Sequence, residues 1–149
     1  FSSNKNHDFY FQRDGRLESL GKTNLSFSPN LISSSQINYK ILKNLNFSFL
    51  SKYVSKQYMG NIDSQLSLLP SYFISDINIS YMLESIKIAK NIIFSALINN
   101  IFNKEYVSNG NFYTYDDTWS NSEKIQTIEG VGFYPQAKMN FLLGVIILF

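Results

Sequence analysis

The stretch Phe141-Leu-Leu-Gly-Val-Ile-Ile-Leu-Phe149 carries the clearest structural signal in the chain, an apolar run with an aromatic last residue. In an extended chain every second side chain lies on the same face. One face of this run carries Phe141, Leu143, Val145, Ile147 and Phe149. The run is too short for a membrane-spanning helix, which needs about 20 apolar residues, but it has the length of one tilted membrane β-strand, about 9–11 residues. The alternative is a buried strand of a soluble sheet.

The composition favours strands with one apolar face and one polar face. Aromatic residues make up 16% of the 149 residues. Charged residues make up 16% as well, which is below their usual share of about 25%. The formal net charge is only +2 and Lys and Arg form no run, so a nucleic-acid partner is not expected. The absence of cysteine excludes disulfides and thiol chemistry.

Four further segments alternate between apolar and polar residues in the same way. They are residues 25–41, 45–53, 72–83 and 92–101, the first of which has the weakest pattern. A faint additional strand signal lies near residues 8–13. The sequence therefore predicts an all-β, antiparallel protein of about five to six strands.

The connections between these segments alternate in length. Residues 40–44 and 84–91 are short links, whereas residues 55–71 and 103–136 are long and polar with many aromatics. Outer-membrane barrels have short turns on the periplasmic side and long loops outside. A strand of ten residues, at a tilt near 45°, spans about 25 Å, which matches the apolar band of such barrels. The pattern therefore predicts a transmembrane β-barrel segment.

Five or six strands are too few to close a membrane barrel, because such barrels begin at about eight strands. An open sheet edge in lipid leaves unpaired backbone groups, each of which costs several kcal/mol. We therefore expect residues 25–149 to be the C-terminal part of a larger barrel. Residues 1–24 are expected to be a loop or partial strand without an assigned role. The chain begins with Phe1 instead of Met, as expected for a processed chain or a piece of a longer one.

Three motifs carry a resemblance to a known family. They are Asn99-Asn-Ile-Phe-Asn-Lys-Glu-Tyr-Val-Ser-Asn-Gly110, then Tyr134-Pro-Gln-Ala137 followed by Asn140-Phe141-Leu142 and Gly144-Val145, and Ser51-Lys-Tyr-Val-Ser-Lys-Gln-Tyr58. In their order and spacing they resemble the C-terminal barrel strands of TonB-dependent outer-membrane receptors, especially those of Bacteroidetes-type bacteria. The resemblance covers most of residues 25–149.

The resemblance implies a 22-stranded barrel that is filled by an N-terminal plug. Such receptors take up scarce extracellular nutrients, typically iron-siderophores, haem, cobalamin or glycans, with energy delivered by TonB through the plug. It implies a transporter in the bacterial outer membrane, not an enzyme, with membrane lipid and the barrel-assembly machinery as further partners. A smaller structural or adhesive outer-membrane barrel is the first alternative, and a soluble β-sandwich binding module is the second.

The resemblance also assigns a role to the apolar alternation of the final strand. In the family, a terminal aromatic residue with apolar residues at alternate positions before it is recognised by the barrel-assembly machinery. The matching residues in this chain are Phe141, Leu143, Val145, Ile147 and Phe149. Contact with lipid explains the same pattern, and the two interpretations are compatible.

The best candidate for ligand binding lies within the long segment 103–136. Loops of this length are usually functional or disordered. The candidate residues offer aromatic stacking faces and carboxylates that accept hydrogen bonds or hold a hard cation weakly, and they are Phe112, Tyr113, Tyr115, Asp116, Asp117 and Trp119. The competing interpretation, which we favour from sequence, is a loop that packs on itself and covers the barrel mouth.

The sequence contains no pattern that indicates catalysis. His7 is the only histidine, and no serine or cysteine nucleophile arrangement accompanies it. Asp116 and Asp117 are adjacent, so on a strand their carboxylates would face opposite ways, a poor arrangement for paired acid–base work. Neither a phosphate-binding glycine loop nor Cys/His metal spacing is present. We therefore expect no enzyme activity, cofactor or metal site.

Overall fold

A computed structural model describes residues 1–86, 89–121 and 124–149. The chain is all-β, and no α-helix occurs in these ranges. None of the helical structure in this part of the chain is long and apolar enough to cross a membrane. The strands are β1 Lys5–Arg13, β2 Arg16–Asn24, β3 Ile32–Leu42, β4 Leu45–Val54, β5 Gln57–Tyr58, β6 Leu68–Leu69, β7 Tyr72–Ile86, β8 Ala89–Asn99, β9 Val107–Asp117, β10 Gln126–Pro135 and β11 Asn140–Leu148, with one short 3-10 helix at Gln65–Ser67.

The chain divides into two compact units. The first consists of Phe1–Ile32, Val54–Tyr72 and Tyr106–Gln136. The second consists of Ser33–Tyr53, Phe73–Glu105 and Ala137–Phe149. The second unit therefore contains the strands with the clear alternating pattern, whereas the first contains the N-terminal stretch and the long connections.

The second unit is a single five-stranded sheet with the order β11-β8-β7-β4-β3. Strand β8 pairs antiparallel with both β11 and β7. The β4–β7 pair is antiparallel as well, because Met82 N donates to Asn44 O at 2.9 Å while the Ser51 and Ser75 hydroxyl oxygens lie 3.2 Å apart. Among the described residues β3 and β11 each have one neighbouring strand, so this sheet is open and does not close into a barrel.

The register places apolar side chains from four strands on one face of the sheet. Phe141, Ile98 and Ile77 stand side by side, as do Val145, Phe94 and Tyr81. We call the whole set the apolar face, and its members are Leu45, Phe47, Phe49, Ile77, Ile79, Tyr81, Leu83, Ile92, Phe94, Ala96, Ile98, Phe141, Leu143, Val145 and Ile147. The opposite face is polar on β4 and β7 and becomes mixed on β8 and apolar on β11.

The five strands predicted from alternation are confirmed as β3, β4, β7, β8 and β11. Strand β3 begins at Ile32, later than expected, because the chain turns before it: Phe27 has a φ of +50° and its N–H donates to Tyr58 O at 2.8 Å. The faint signal near residues 8–13 lies within β1. Within the segment 84–91, where a short link is predicted, β7 extends to Ile86 and β8 begins at Ala89. The rest of this predicted link, residues 87 and 88, lies outside the described residues.

The prediction that residues 103–136 form one long loop is wrong. This segment contains the hairpin of β9 and β10, whose register runs from Asp117 opposite Gln126 to Asn109 opposite Tyr134. Strand β9 lacks a simple alternation because Phe112 and Tyr113 are adjacent aromatics that fall on opposite faces. Strand β2 was missed as well, since it has few apolar residues and most of its side chains are exposed.

The first unit is held together by a small core and by polar contacts between its hairpins. Val54, Met59 and Leu69 are its buried apolar side chains among the described residues. Asp14, at the tip of the β1–β2 hairpin, accepts a hydrogen bond from Thr127 N at 2.8 Å, and its own N–H donates to the Thr127 hydroxyl at 2.7 Å. The Ser64 hydroxyl, which also caps the 3-10 helix, donates to Glu129 of β10. These bonds fix the position of the β9–β10 hairpin within the unit.

Candidate functional site

The β9–β10 hairpin brings together all six residues that were predicted to contact a ligand, but it divides them between its two faces. Neighbouring residues on a strand point in opposite directions. Phe112 and Asp116 therefore lie on one face, and Tyr113, Tyr115 and Asp117 lie on the other. The expectation that Asp116 and Asp117 would face opposite ways agrees with their positions on β9.

The face that carries Phe112 and Asp116 packs within the first unit. A Cβ atom on Gly60 would lie 2.5 Å from the Phe112 ring, so this ring occupies the space above Gly60. The Asp116 carboxylate accepts a 2.7 Å hydrogen bond from the Thr127 hydroxyl and a 3.4 Å bond from the Gln12 amide. These contacts give the two residues a structural role in holding the hairpin.

The other face carries a row of three near-parallel aromatic rings. The centroids of Tyr113 and Tyr115 are 6.5 Å apart with planes inclined by 20°, and those of Tyr115 and Trp119 are 5.9 Å apart with planes inclined by 1°. The rings remain open to solvent, with exposed fractions of 50%, 43% and 71% in chain order. A Cβ atom on Gly130 would lie 2.3 Å from the Tyr113 ring, which therefore leans across the hairpin onto β10. We call these three side chains the ring row.

Asp117 holds the last member of the ring row in place. Its carboxylate accepts hydrogen bonds from Trp119 N at 3.1 Å and Ser120 N at 3.0 Å, so the chain turns tightly after β9. Hydrogen bonds from the Ser120 side chain, then from its backbone and that of Trp119, lower the pKa of Asp117 below its ordinary value. At neutral pH the site therefore presents flat ring surfaces beside a carboxylate, which suits stacking and the acceptance of hydrogen bonds. In the described ranges no group of three His, Asp or Glu side chains converges as a metal site.

The residues of the apolar alternation lie on β11 and just beyond it. Phe141, Leu143, Val145 and Ile147 share one face of the strand and all are exposed, as is Phe149. On the opposite face, a Cβ atom on Gly144 would lie 2.6 Å from the Ser95 hydroxyl oxygen of β8. Glycine at this position therefore leaves room for the Ser95 side chain, whose hydroxyl donates to Gly144 O at 3.4 Å.

The motif that begins at Asn99 forms a polar junction between the end of β8 and the start of β11. The Asn99 side chain donates to the Asn140 side chain at 2.9 Å. The buried Asn100 amide group donates to Lys104 O at 2.8 Å and to Ala137 O at 3.3 Å. The motif therefore joins two strands of the sheet through its asparagine side chains.

Arg13 is a residue that sequence reasoning did not single out. Its guanidinium group lies 3.7 Å from the Glu18 carboxylate and 3.9 Å from that of Glu129. It therefore joins the β1–β2 and β9–β10 hairpins, which are far apart in sequence. Glu18 is a neighbour within the same hairpin, whereas Glu129 is brought to Arg13 only by tertiary structure, so no local pattern marks the link between the hairpins.

Comparison with models of known protein families and with curated proteins finds no match for this chain.

Proposed function

We propose that this chain forms the C-terminal part of the barrel of a TonB-dependent outer-membrane receptor, which imports a scarce nutrient such as an iron-siderophore, haem or cobalamin. The observation that carries the proposal is the apolar face. It extends without interruption across β4, β7, β8 and β11 of a single sheet. The hydrocarbon chains of membrane lipid would cover such a face.

Several large apolar side chains of the apolar face are open to solvent, most of all on the edge strand β11. Phe141 and Leu143 are 75% and 78% exposed, and Phe94, near the middle of the sheet, is 42% exposed. Soluble monomers rarely expose a contiguous apolar patch beyond about 300–600 Å². Transfer of each such side chain out of water contributes about 1.5–3 kcal/mol. Lipid contact would therefore stabilise this arrangement relative to water.

Strand lengths and sheet edges agree with a membrane barrel. Strands β3, β4, β8 and β11 have 11, 10, 11 and 9 residues, close to the length needed to cross an outer membrane. The unpaired edges of β3 and β11 would be costly in lipid, so further strands of the parent protein would pair with them. The polar residues on the opposite face of β4 and β7 would then line the barrel interior.

The receptor family is favoured over other barrels by the three motifs in their order along the chain. Within this proposal the ring row is part of the extracellular ligand surface. TonB acts through a plug domain of the parent protein. The barrel-assembly machinery recognises the alternate apolar residues of β11. A smaller adhesive barrel would share the apolar face but would have no plug. A soluble β-sandwich would need a second layer over the apolar face.

Fluorescence quenching by brominated lipid tests the membrane proposal on adjacent residues. In a Trp119→Phe background, Phe94→Trp places a single indole on the apolar face, and Ser95→Trp places it on the opposite face of the same strand. The protein is reconstituted into vesicles with and without brominated acyl chains. We expect the indole at position 94 to be quenched several-fold more strongly than that at position 95. Equal quenching at the two positions would contradict lipid contact by the apolar face.

The parent reading frame distinguishes a receptor from a smaller barrel. We expect it to encode a plug domain before the barrel strands, and we expect nutrient uptake by the parent protein to stop when TonB is deleted. A short frame with a complete small barrel, or an activity that is independent of TonB, would contradict the receptor assignment while leaving the membrane location intact.

A further inference from the structure

A small polar cavity of about 220 Å³ lies in the first unit, away from the ring row. It is formed where the start of β1 and the end of β2 meet the turn before β3 and the short strand β5. Its lining includes Lys5, Asn24, Asn30, Lys56, Gln57 and Tyr58. Every side chain in this set is polar, and two of them carry a positive charge.

Backbone hydrogen bonds hold the walls of this cavity in place. Phe27 N donates to Tyr58 O at 2.8 Å, and Ser2 N donates to Asn30 O at 2.9 Å. Leu25 N donates to Asn4 O at 3.3 Å, beside Lys5 and Asn24. The cavity is therefore built by four separate parts of the chain that are bonded to one another.

The charges around the cavity are unbalanced. No carboxylate lines it in the described part of the chain, and neither Lys5 nor Lys56 forms an ion pair there. Lys5 donates to the Asn24 side-chain oxygen, while the Asn24 amide group and backbone N–H donate to Asp63 at 2.9 and 3.0 Å. Asp63 is thus engaged in orienting Asn24. Two ammonium groups that line one cavity repel each other, and a bound anion would offset this repulsion by attracting both of them.

We infer that this cavity binds a phosphate group. Lysine ammonium groups bind phosphate as point charges. Asn30, Gln57 and Tyr58 also line the cavity, and their side chains are of types that can donate hydrogen bonds to phosphate oxygens. The volume is below the roughly 300–1,000 Å³ of pockets for drug-sized ligands but accommodates a small oxyanion with several waters, each of about 30 Å³. Free inorganic phosphate and the phosphate of a monoester share this chemistry. The inference is independent of the receptor proposal.

Titration with inorganic phosphate tests the inference on the full chain in detergent micelles. Amide shifts of Lys5, Lys56, Gln57 and Tyr58 are followed by NMR at constant ionic strength set with sodium chloride. We expect saturable shifts at these positions, an affinity about tenfold weaker in Lys56→Met, and an affinity close to the original in Lys56→Arg. Lys52→Met is the matched control, because Lys52 is an exposed lysine of β4 that does not line the cavity.

Unsaturable shifts, shifts reproduced by chloride alone, or equal weakening by Lys56→Met and Lys52→Met would overturn the inference. Because Lys56 is exposed, its variants are expected to leave the amide NMR signals outside the cavity unchanged. Lys5→Met provides a second test if Lys56→Met does not fold. Titration with glycerol 3-phosphate identifies the source: tighter binding than inorganic phosphate indicates a monoester such as a lipid headgroup, and weaker binding indicates the free ion.

Discussion

At the scale of single residues, Asn100 shows why a motif has its particular amino acids. Its φ is +50°, in the left-handed region that asparagine tolerates better than most residues. Its side-chain oxygen accepts from Lys104 N at 2.9 Å, and its backbone N–H donates to the Asp76 carboxylate at 2.8 Å. Its side-chain amide also donates to Lys104 O and Ala137 O. Where the chain leaves β8, the Asn100 side chain therefore bonds backbone groups that no strand neighbour pairs.

Replacement of Asn100 should separate its backbone conformation from its hydrogen bonds. We expect Asn100→Ala to lower the free energy of unfolding by about 2–4 kcal/mol, because a residue that is 3% exposed loses its side-chain bonds and alanine is strained at positive φ. Asn100→Gly loses the same bonds without that strain and should cost about 1–2 kcal/mol less. Urea unfolding in lipid vesicles measures both. A change below about 0.5 kcal/mol in Asn100→Ala would show that the junction does not contribute to stability.

At the scale of elements, the β9–β10 hairpin contains a close approach that the sequence does not reveal. A Cβ atom on Gly110 would lie 2.5 Å from Gly132 O of the neighbouring strand and 2.6 Å from the Met59 sulfur. A Cβ atom on Gly132 would have no heavy atom within 4 Å. The two glycines lie in the same hairpin, yet only one of them is required by packing.

The pair Gly110→Ala and Gly132→Ala therefore forms a matched test of the hairpin. We expect Gly110→Ala to destabilise the protein by about 1–3 kcal/mol, since a backbone oxygen cannot move away as a flexible side chain can. Gly132→Ala should change stability by less than about 0.5 kcal/mol. Hydrogen exchange of β9 and β10 amides reports the effect locally. Similar losses of protection in both variants would mean that the close approach at Gly110 is unimportant.

At the scale of the whole molecule, the two units differ in where their apolar residues lie. The buried apolar side chains Val54, Met59 and Leu69 belong to the first unit, and Ala89 is the corresponding residue of the second among the described residues. The second unit instead displays its large apolar side chains on the apolar face. Under the proposed membrane location, lipid chains would cover the apolar face and stabilise a sheet that has few buried side chains of its own.

Folding of the chain should consequently depend on detergent. We expect the isolated chain to aggregate on dilution from urea into buffer and to gain a β-sheet circular dichroism spectrum in detergent micelles. Amides of β7 and β8 should then exchange slowly with solvent. A monomeric chain in plain buffer with the same slow exchange would contradict this expectation and would favour the soluble β-sandwich.

The alternation of apolar and polar residues is sufficient to predict the five strands of the sheet and the residues of the apolar face. Burial or lipid contact on one face of a strand places an apolar residue at every second position. This alternation is visible in the sequences of β11 and β4. The same local signal is absent from β2 and β9, because β2 has few apolar side chains and the aromatics of β9 lie on both faces.

Tertiary contacts, in contrast, determine which candidate ligand residues are packed within the first unit and which are exposed. They place Phe112 and Asp116 in contacts within the first unit and leave Tyr113, Tyr115 and Trp119 as a ring row at the surface. They also bring Lys5 and Lys56 to one cavity from positions far apart in the chain. Apolar–polar alternation reflects only residues that are neighbours in sequence. The ring row and the cavity depend instead on strand pairing and hydrogen bonds between distant segments, so no local pattern predicts them.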